Sequence, residues 1–114
     1  MQTEQVDLNV NMYNNKKEEF KVHLIESIED VLSFSKVVLD FLELYSDFNQ
    51  ERILDEPWIF SSELEDLFGD SAKGIQDLVL KRLYLKINQR YKRDRMRSFE
   101  DYLSDALKRF TESH

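Results

Sequence analysis

A chain of 114 residues, 41% hydrophobic and 34% charged, has room for one core and carries too much apolar material to stay unfolded. The absence of cysteine excludes disulfides, thiolate nucleophiles and cysteine-bound zinc. Two glycines and one proline are too few turn formers for a β fold of this size, and a net charge of −7 opposes attraction of nucleic acid or an anionic membrane to the whole surface.

Residues 1–15 (MQTEQVDLNVNMYNN) are polar and rich in asparagine, and they read as a flexible tail. The weak alternation at Val6, Leu8, Val10 and Met12 leaves a short strand, or a segment that folds on a partner, as the other reading. The start lacks the basic and apolar regions of a signal peptide, and no apolar run approaches about 18 residues. The expected location is the cytoplasm.

Residues 16–114 are expected to form a single helical domain. Phe20, Leu24, Ile28, Val31, Phe34, Val38, Phe41, Tyr45 and Phe48 recur at helical spacing, which predicts a stripe that faces a core. Ile25, Leu32, Leu39 and Leu42 widen it. A break near Ser33 divides the segment into helices over Lys17–Leu32 and Ser35–Tyr45, with Ser33 or Ser35 as the cap.

The stretch DFNQERILDEPW (47–58) holds the only proline and is the main connector, because the residue before proline avoids helical geometry. Ser62 with Glu65 forms a capping box and Gly69 a left-handed stop, giving a short helix from Ser62 to Phe68. From Ser71 a longer helix runs to about Arg93. Its Ile75, Leu78, Val79, Leu80, Leu83, Tyr84, Leu85 and Ile87 cover most of the circumference, so it is expected to be central or to lie in a subunit interface. Ser98 with Asp101 starts a last amphipathic helix over Phe99–Thr111. The fold class is therefore all-α, a compact bundle of four to five helices. Because the 75–87 helix and the last one both offer wide apolar faces, a homodimer packed about a two-fold axis is expected.

The order of SFSKVVLDFLELY, then Ile53, Pro57, Phe60 and Leu64, then LFGDSAKGIQDLVLKRLYLKI resembles the Nitrosopumilus output domain family of small archaeal helical domains. The pieces that carry the resemblance are Leu67-Phe68-Gly69, Ala72-Lys73, Ile75, and Leu83-Tyr84-x-Lys86-Ile87. Two departures are Ser33, where glycine is common, and the additional helix after Ser98. The resemblance implies an all-helical domain used alone or as the output part of signalling proteins. It implies no catalytic residues.

Catalytic chemistry finds little material in this chain. Glu19, His23 and Glu26 share a helix face, yet a di-metal bundle needs Glu-x-x-His on two helices, so a solvated charged face is the simpler reading and no metal is assigned. The acids Glu18, Glu29, Asp30, Glu43, Glu63 and Asp66 fall on polar positions, and Ser27, Ser62, Ser71 and Ser98 read as caps or helix-face residues rather than nucleophiles. With glycine only at Gly69 and Gly74, no phosphate-cradling loop is available. The expectation is a protein that is not an enzyme and has no cofactor and no small-molecule substrate.

Charge is strongly segregated. Residues 1–80 hold 6 Lys and Arg against 18 Asp and Glu, residues 81–97 hold 8 against 1, and the remainder 2 against 4. If the helix continues, Arg82, Lys86, Arg90, Arg93 and Arg97 form a stripe flanked by Lys81, Lys92 and Arg95, with Tyr84 and Tyr91 interleaved. Three readings compete for this segment. In the first, the cations are balanced by the chain's own acidic helices and the helix dipole; in the second, they dock an acidic protein or the acidic half of another copy; in the third, they bind nucleic acid, with tyrosines stacking on unpaired bases. The leading expectation is a regulatory or adaptor module that binds a protein partner through Lys81, Arg82, Lys86, Arg90, Tyr91, Lys92, Arg93, Arg95 and Arg97. Trp58 reads either as a plug that anchors the connector or as an exposed interface anchor.

Overall fold

Apolar residues at helical spacing, interrupted where capping and turn residues cluster, produce five α-helices: α1 (Gln2–Val31), α2 (Ser35–Tyr45), α3 (Pro57–Phe68), α4 (Ala72–Lys86) and α5 (Phe99–Glu112). The structure, a computed structural model, describes residues 2–112, with side chains from Asn11 to Glu112; His114 lies outside this range. The described residues contain no β-strand, and no helix among them is long and apolar enough to cross a membrane.

One core joins all five helices and the connector. It is built from Phe20, Leu24 and Ile28 of α1, Leu39 and Leu42 of α2, Phe48 and Ile53 of the connector, Phe60 and Leu64 of α3, Val79, Leu80 and Leu83 of α4, and Phe99, Leu103 and Ala106 of α5. Phe48, Phe60 and Phe99 form an aromatic ladder with centroids 5.6 and 5.9 Å apart, which ties the connector to α3 and α5. Two ion pairs draw the connector onto α1. Lys17 meets Asp55 at 2.7 Å and Lys21 meets Glu51 at 2.7 Å. The bond from Lys17 holds the Asp55 carboxyl below its usual range, and the bonds to Glu51 and then Glu18 raise the Lys21 ammonium.

Several boundaries differ from the sequence reading. Helix α1 begins at Gln2 rather than near Lys16, and its side chains from Asn11 to Asn15 are all exposed. The radius of gyration of 15.1 Å exceeds the roughly 13 Å of a sphere-like chain of this length. A 30-residue helix about 45 Å long explains the excess. The break between α1 and α2 falls where expected, yet neither Ser33 nor Ser35 caps α2, whose N-cap is Phe34 without a side-chain bond.

Helix α3 starts at Pro57, five residues before the expected capping box, because proline at the first helical position sacrifices no hydrogen bond and presets φ. Gly69 ends α3 at φ 58°, a conformation that favours glycine. The last helix begins as read: the Ser98 amide donates to Asp101 Oδ2 at 3.0 Å and the Asp101 amide donates to Ser98 Oγ at 3.1 Å. These bonds also lower the Asp101 carboxyl.

The break after α1 resets the helical register. Leu39 and Leu42 enter the core, while Phe34, Phe41 and Tyr45 of the predicted stripe are turned outward. Helix α4 packs against α1, α3 and α5 through Val79, Leu80, Leu83 and Tyr84, and Leu78 and Leu85 remain exposed. Its wide apolar face is thus largely consumed within the chain.

Trp58 occupies the first turn of α3 with 55% of its surface exposed. The plug reading is therefore corrected, since Phe48, Ile53 and Phe60 secure the connector and leave the indole outside. Acrylamide is expected to quench Trp58 fluorescence nearly as efficiently as free indole, with a red-shifted emission maximum. Weak quenching and blue-shifted emission would contradict this placement.

Candidate functional site

The basic segment is only partly helical. Helix α4 stops at Lys86 because Asn88 adopts φ 58°, a left-handed conformation that asparagine tolerates better than most residues. The Gln89 amide donates to the Tyr84 carbonyl at 2.9 Å and the Asn88 amide to the Leu85 carbonyl at 3.2 Å. This bonding pattern is a Schellman stop, and it satisfies carbonyls that the helix end would leave open. The predicted continuation to Arg93 is therefore corrected. Arg82, Lys86, Arg90, Arg93 and Arg97 do not form one helical stripe.

Beyond the stop, residues 87–98 form a loop held from below by three tyrosines. The Tyr84, Tyr91 and Tyr102 rings meet with centroids 5.2, 6.5 and 5.2 Å apart. Tyr84 donates to the Tyr102 carbonyl at 2.8 Å, and Tyr91 donates to Asp77 Oδ1 at 2.7 Å. The Tyr102 hydroxyl accepts the Asp94 amide and lies 3.1 Å from the Asp94 carbonyl and 3.3 Å from that of Lys92. Gln89 Nε2 donates to the Ala106 carbonyl of α5 at 3.1 Å. Burial raises the Tyr84 hydroxyl above its usual range, and burial followed by the bond to Asp77 raises Tyr91 further. Both remain neutral at physiological pH.

The loop tip is closed by Asp94, whose Oδ1 accepts the Met96 amide at 2.9 Å and whose carbonyl accepts the Arg97 amide at 3.1 Å. These local bonds give the turn a fixed shape. Met96, within this turn, is 89% exposed.

The nine partner-binding candidates fall into two groups. Five are engaged within the chain. Lys81 pairs with Asp77 at 3.3 Å, and Arg82 and Lys86 converge on Asp30 at 3.9 and 3.1 Å. Arg97 pairs with Asp105, donates to the Asp101 carbonyl at 3.2 Å and lies 4.8 Å over the Tyr102 ring. Tyr91 is the fifth, tied to Asp77. The other four, Arg90, Lys92, Arg93 and Arg95, are exposed and enter no ion pair among the described residues.

Beside the loop, facing α3 and α4, lies an open groove of about 620 Å³ whose walls include Glu65, Lys73, Asp77, Arg93, Arg95 and Glu100. Its walls carry carboxylates and cations in equal number, so it is not a concentrated anion pocket, although Arg93 and Arg95 form no ion pair among the described residues. Elsewhere, His23 Nδ1 is 3.6 Å from Glu26 Oε1 with its ring edge-on to Phe110. Among the described residues no cluster of three metal-ligating side chains is present.

Sequence reasoning missed Met96 and the Tyr102 hydroxyl. Met96 carried a usable signal, since an apolar residue inside RDRMR has nothing beside it to hide it. Tyr102 carried none, because its apolar position on α5 also suits a ring that only fills the core. Comparison with protein families, curated proteins and solved structures finds no match to this chain.

Proposed function

We propose that this chain is a non-catalytic regulatory or adaptor module that captures an acidic segment of a protein partner with Arg90, Lys92, Arg93 and Arg95. The observation that carries this reading is that these four cations are exposed, and unpaired among the described residues, on a loop whose backbone is pinned by Tyr102, Asp94 and Gln89. A pinned loop loses less conformational entropy on binding than a flexible one. Four exposed ion pairs supply about 1–4 kcal/mol together, so they set orientation and partner choice more than affinity. Met96 adds an apolar, adaptable contact among them.

The nucleic-acid reading loses its stacking surface. Tyr84 is buried, and the half-buried Tyr91 ring packs on Tyr84 and Tyr102 at 5.2 Å each, which disfavours either ring as a platform for a base.

The test is a fluorescence anisotropy titration with a labelled Asp/Glu-rich peptide and, separately, a labelled single-stranded oligonucleotide, at low salt. The peptide is expected to bind. Replacing Arg90, Lys92, Arg93 and Arg95 together by glutamine is expected to weaken it by about tenfold or more, with an unchanged melting temperature because no internal pair is broken. Undiminished binding by this variant, or binding of the oligonucleotide in preference to the peptide, would overturn the proposal.

A further inference from the structure

Helix α2 is apolar on two sides. Leu39 and Leu42 are buried, whereas Phe34 at its N-cap and Val37, Phe41, Leu44 and Tyr45 project outward with 74, 67, 45, 76 and 74% of their surfaces exposed. Their spacing of three, four, three and one places them on one continuous face. The Phe41 and Tyr45 rings pack against each other, tilted, at 4.8 Å. At about 200 Å² for an aromatic side chain, and less for Val and Leu, the five leave on the order of 500 Å² of apolar surface in water. That is near the upper end of the largest patch on a stable monomer, about 300–600 Å².

We infer that this face binds the same face of a second copy, forming an antiparallel α2 pair across a two-fold axis. Area is the first argument. Two such faces opposed cover about 1,000 Å² of apolar surface before any polar rim is counted, which meets the lower limit for a specific interface.

Self-complementarity of the polar edge is the second argument. Lys36, Asp40 and Glu43 run along one edge of the face, and Lys36 and Asp40 have no ion pair among the described residues. A two-fold axis perpendicular to the helices keeps this edge beside its own copy and reverses its direction. Lys36 of each copy then lies beside Glu43 of the other, whose Oε1 also accepts the Gln50 amide at 2.9 Å, and the two Asp40 carboxylates approach near the axis. Val37, the smallest residue of the face, falls opposite the bulky end of its mate. A two-fold axis parallel to the helices separates the polar edges and leaves Lys36 unmatched. This face shares no residue with the basic loop, so the dimer presents two loops.

Equilibrium sedimentation of the full chain tests the inference. The expected species at micromolar concentration has twice the 13.7 kDa chain mass. Val37→Lys with Leu44→Lys, two exposed positions, should give a monomer of unchanged helical circular dichroism. Two milder variants test the geometry: Lys36→Glu should weaken the dimer by about tenfold, and Asp40→Asn should tighten it by relieving like charges at the axis. A basic partner protein on this face predicts the reverse for Asp40→Asn. A monomeric wild type, a dimer that survives the double lysine substitution, or loosening by Asp40→Asn would overturn the inference.

Discussion

Replacing Phe60 with alanine is expected to cost about 3–5 kcal/mol, a large part of the roughly 5–15 kcal/mol that holds a domain of this size together. Phe60 is fully buried and lies between Phe48 of the connector and Phe99 of α5. Its removal leaves a cavity where three parts of the chain converge, and neither neighbour can swing in without leaving its other contacts. The melting temperature should fall by on the order of 15 °C or more, measured by thermal circular dichroism. A fall of only about 3 °C would mean that the ring is not wedged between α3, α5 and the connector.

Replacing Tyr102 with phenylalanine should act on the loop rather than the bundle. The ring and its packing are kept, and only the hydroxyl that accepts the Asp94 amide and faces the Lys92 and Asp94 carbonyls is lost. The expected cost is roughly 0.5–1.5 kcal/mol, the net worth of an intramolecular hydrogen bond, because Lys92 and Asp94 are exposed and their backbone groups can turn to water. Because the loop cations then move independently, capture of the acidic peptide should weaken while helical content is unchanged. Loss of stability with full retention of peptide binding would separate the tyrosine pin from function.

Features that depend on one or two neighbouring residues were legible in the sequence. The Ser98 and Asp101 box and the Gly69 stop each rest on a local bond or a backbone preference that no distant contact overrides, whereas the break near Ser33 falls where read without the serine cap that argued for it. The start of α3 was legible too, but the connector reading of Pro57 outweighed its role as a first helical residue. The face of α2 was not. Its residues are apolar around most of the circumference, so the period through Phe34, Phe41 and Tyr45 fits the core as well as Leu39 and Leu42 do. Only packing against α1 decides between them.

The candidate site shows the same division. Charge counting located the basic stretch, but which cations remain free depends on Asp30, Asp77 and Asp105. Asp30 lies more than fifty positions from Arg82, and nothing in the sequence links them. The end of α4 depended on Asn88, where the apolar pattern already fades, and on the tyrosine cluster that makes the stop favourable.

Amide hydrogen exchange across residues 86–98 tests the central claim most directly, namely that the basic segment is a pinned loop and not a helix. The structure predicts slow exchange at Gln89, Asp94 and Arg97, whose amides are bonded to the Tyr84 carbonyl, the Tyr102 hydroxyl and the Asp94 carbonyl. It predicts fast exchange from Arg90 to Arg93. Uniform protection from Ile87 through Arg93, as in an unbroken helix, would contradict the loop and the unpaired cations it presents.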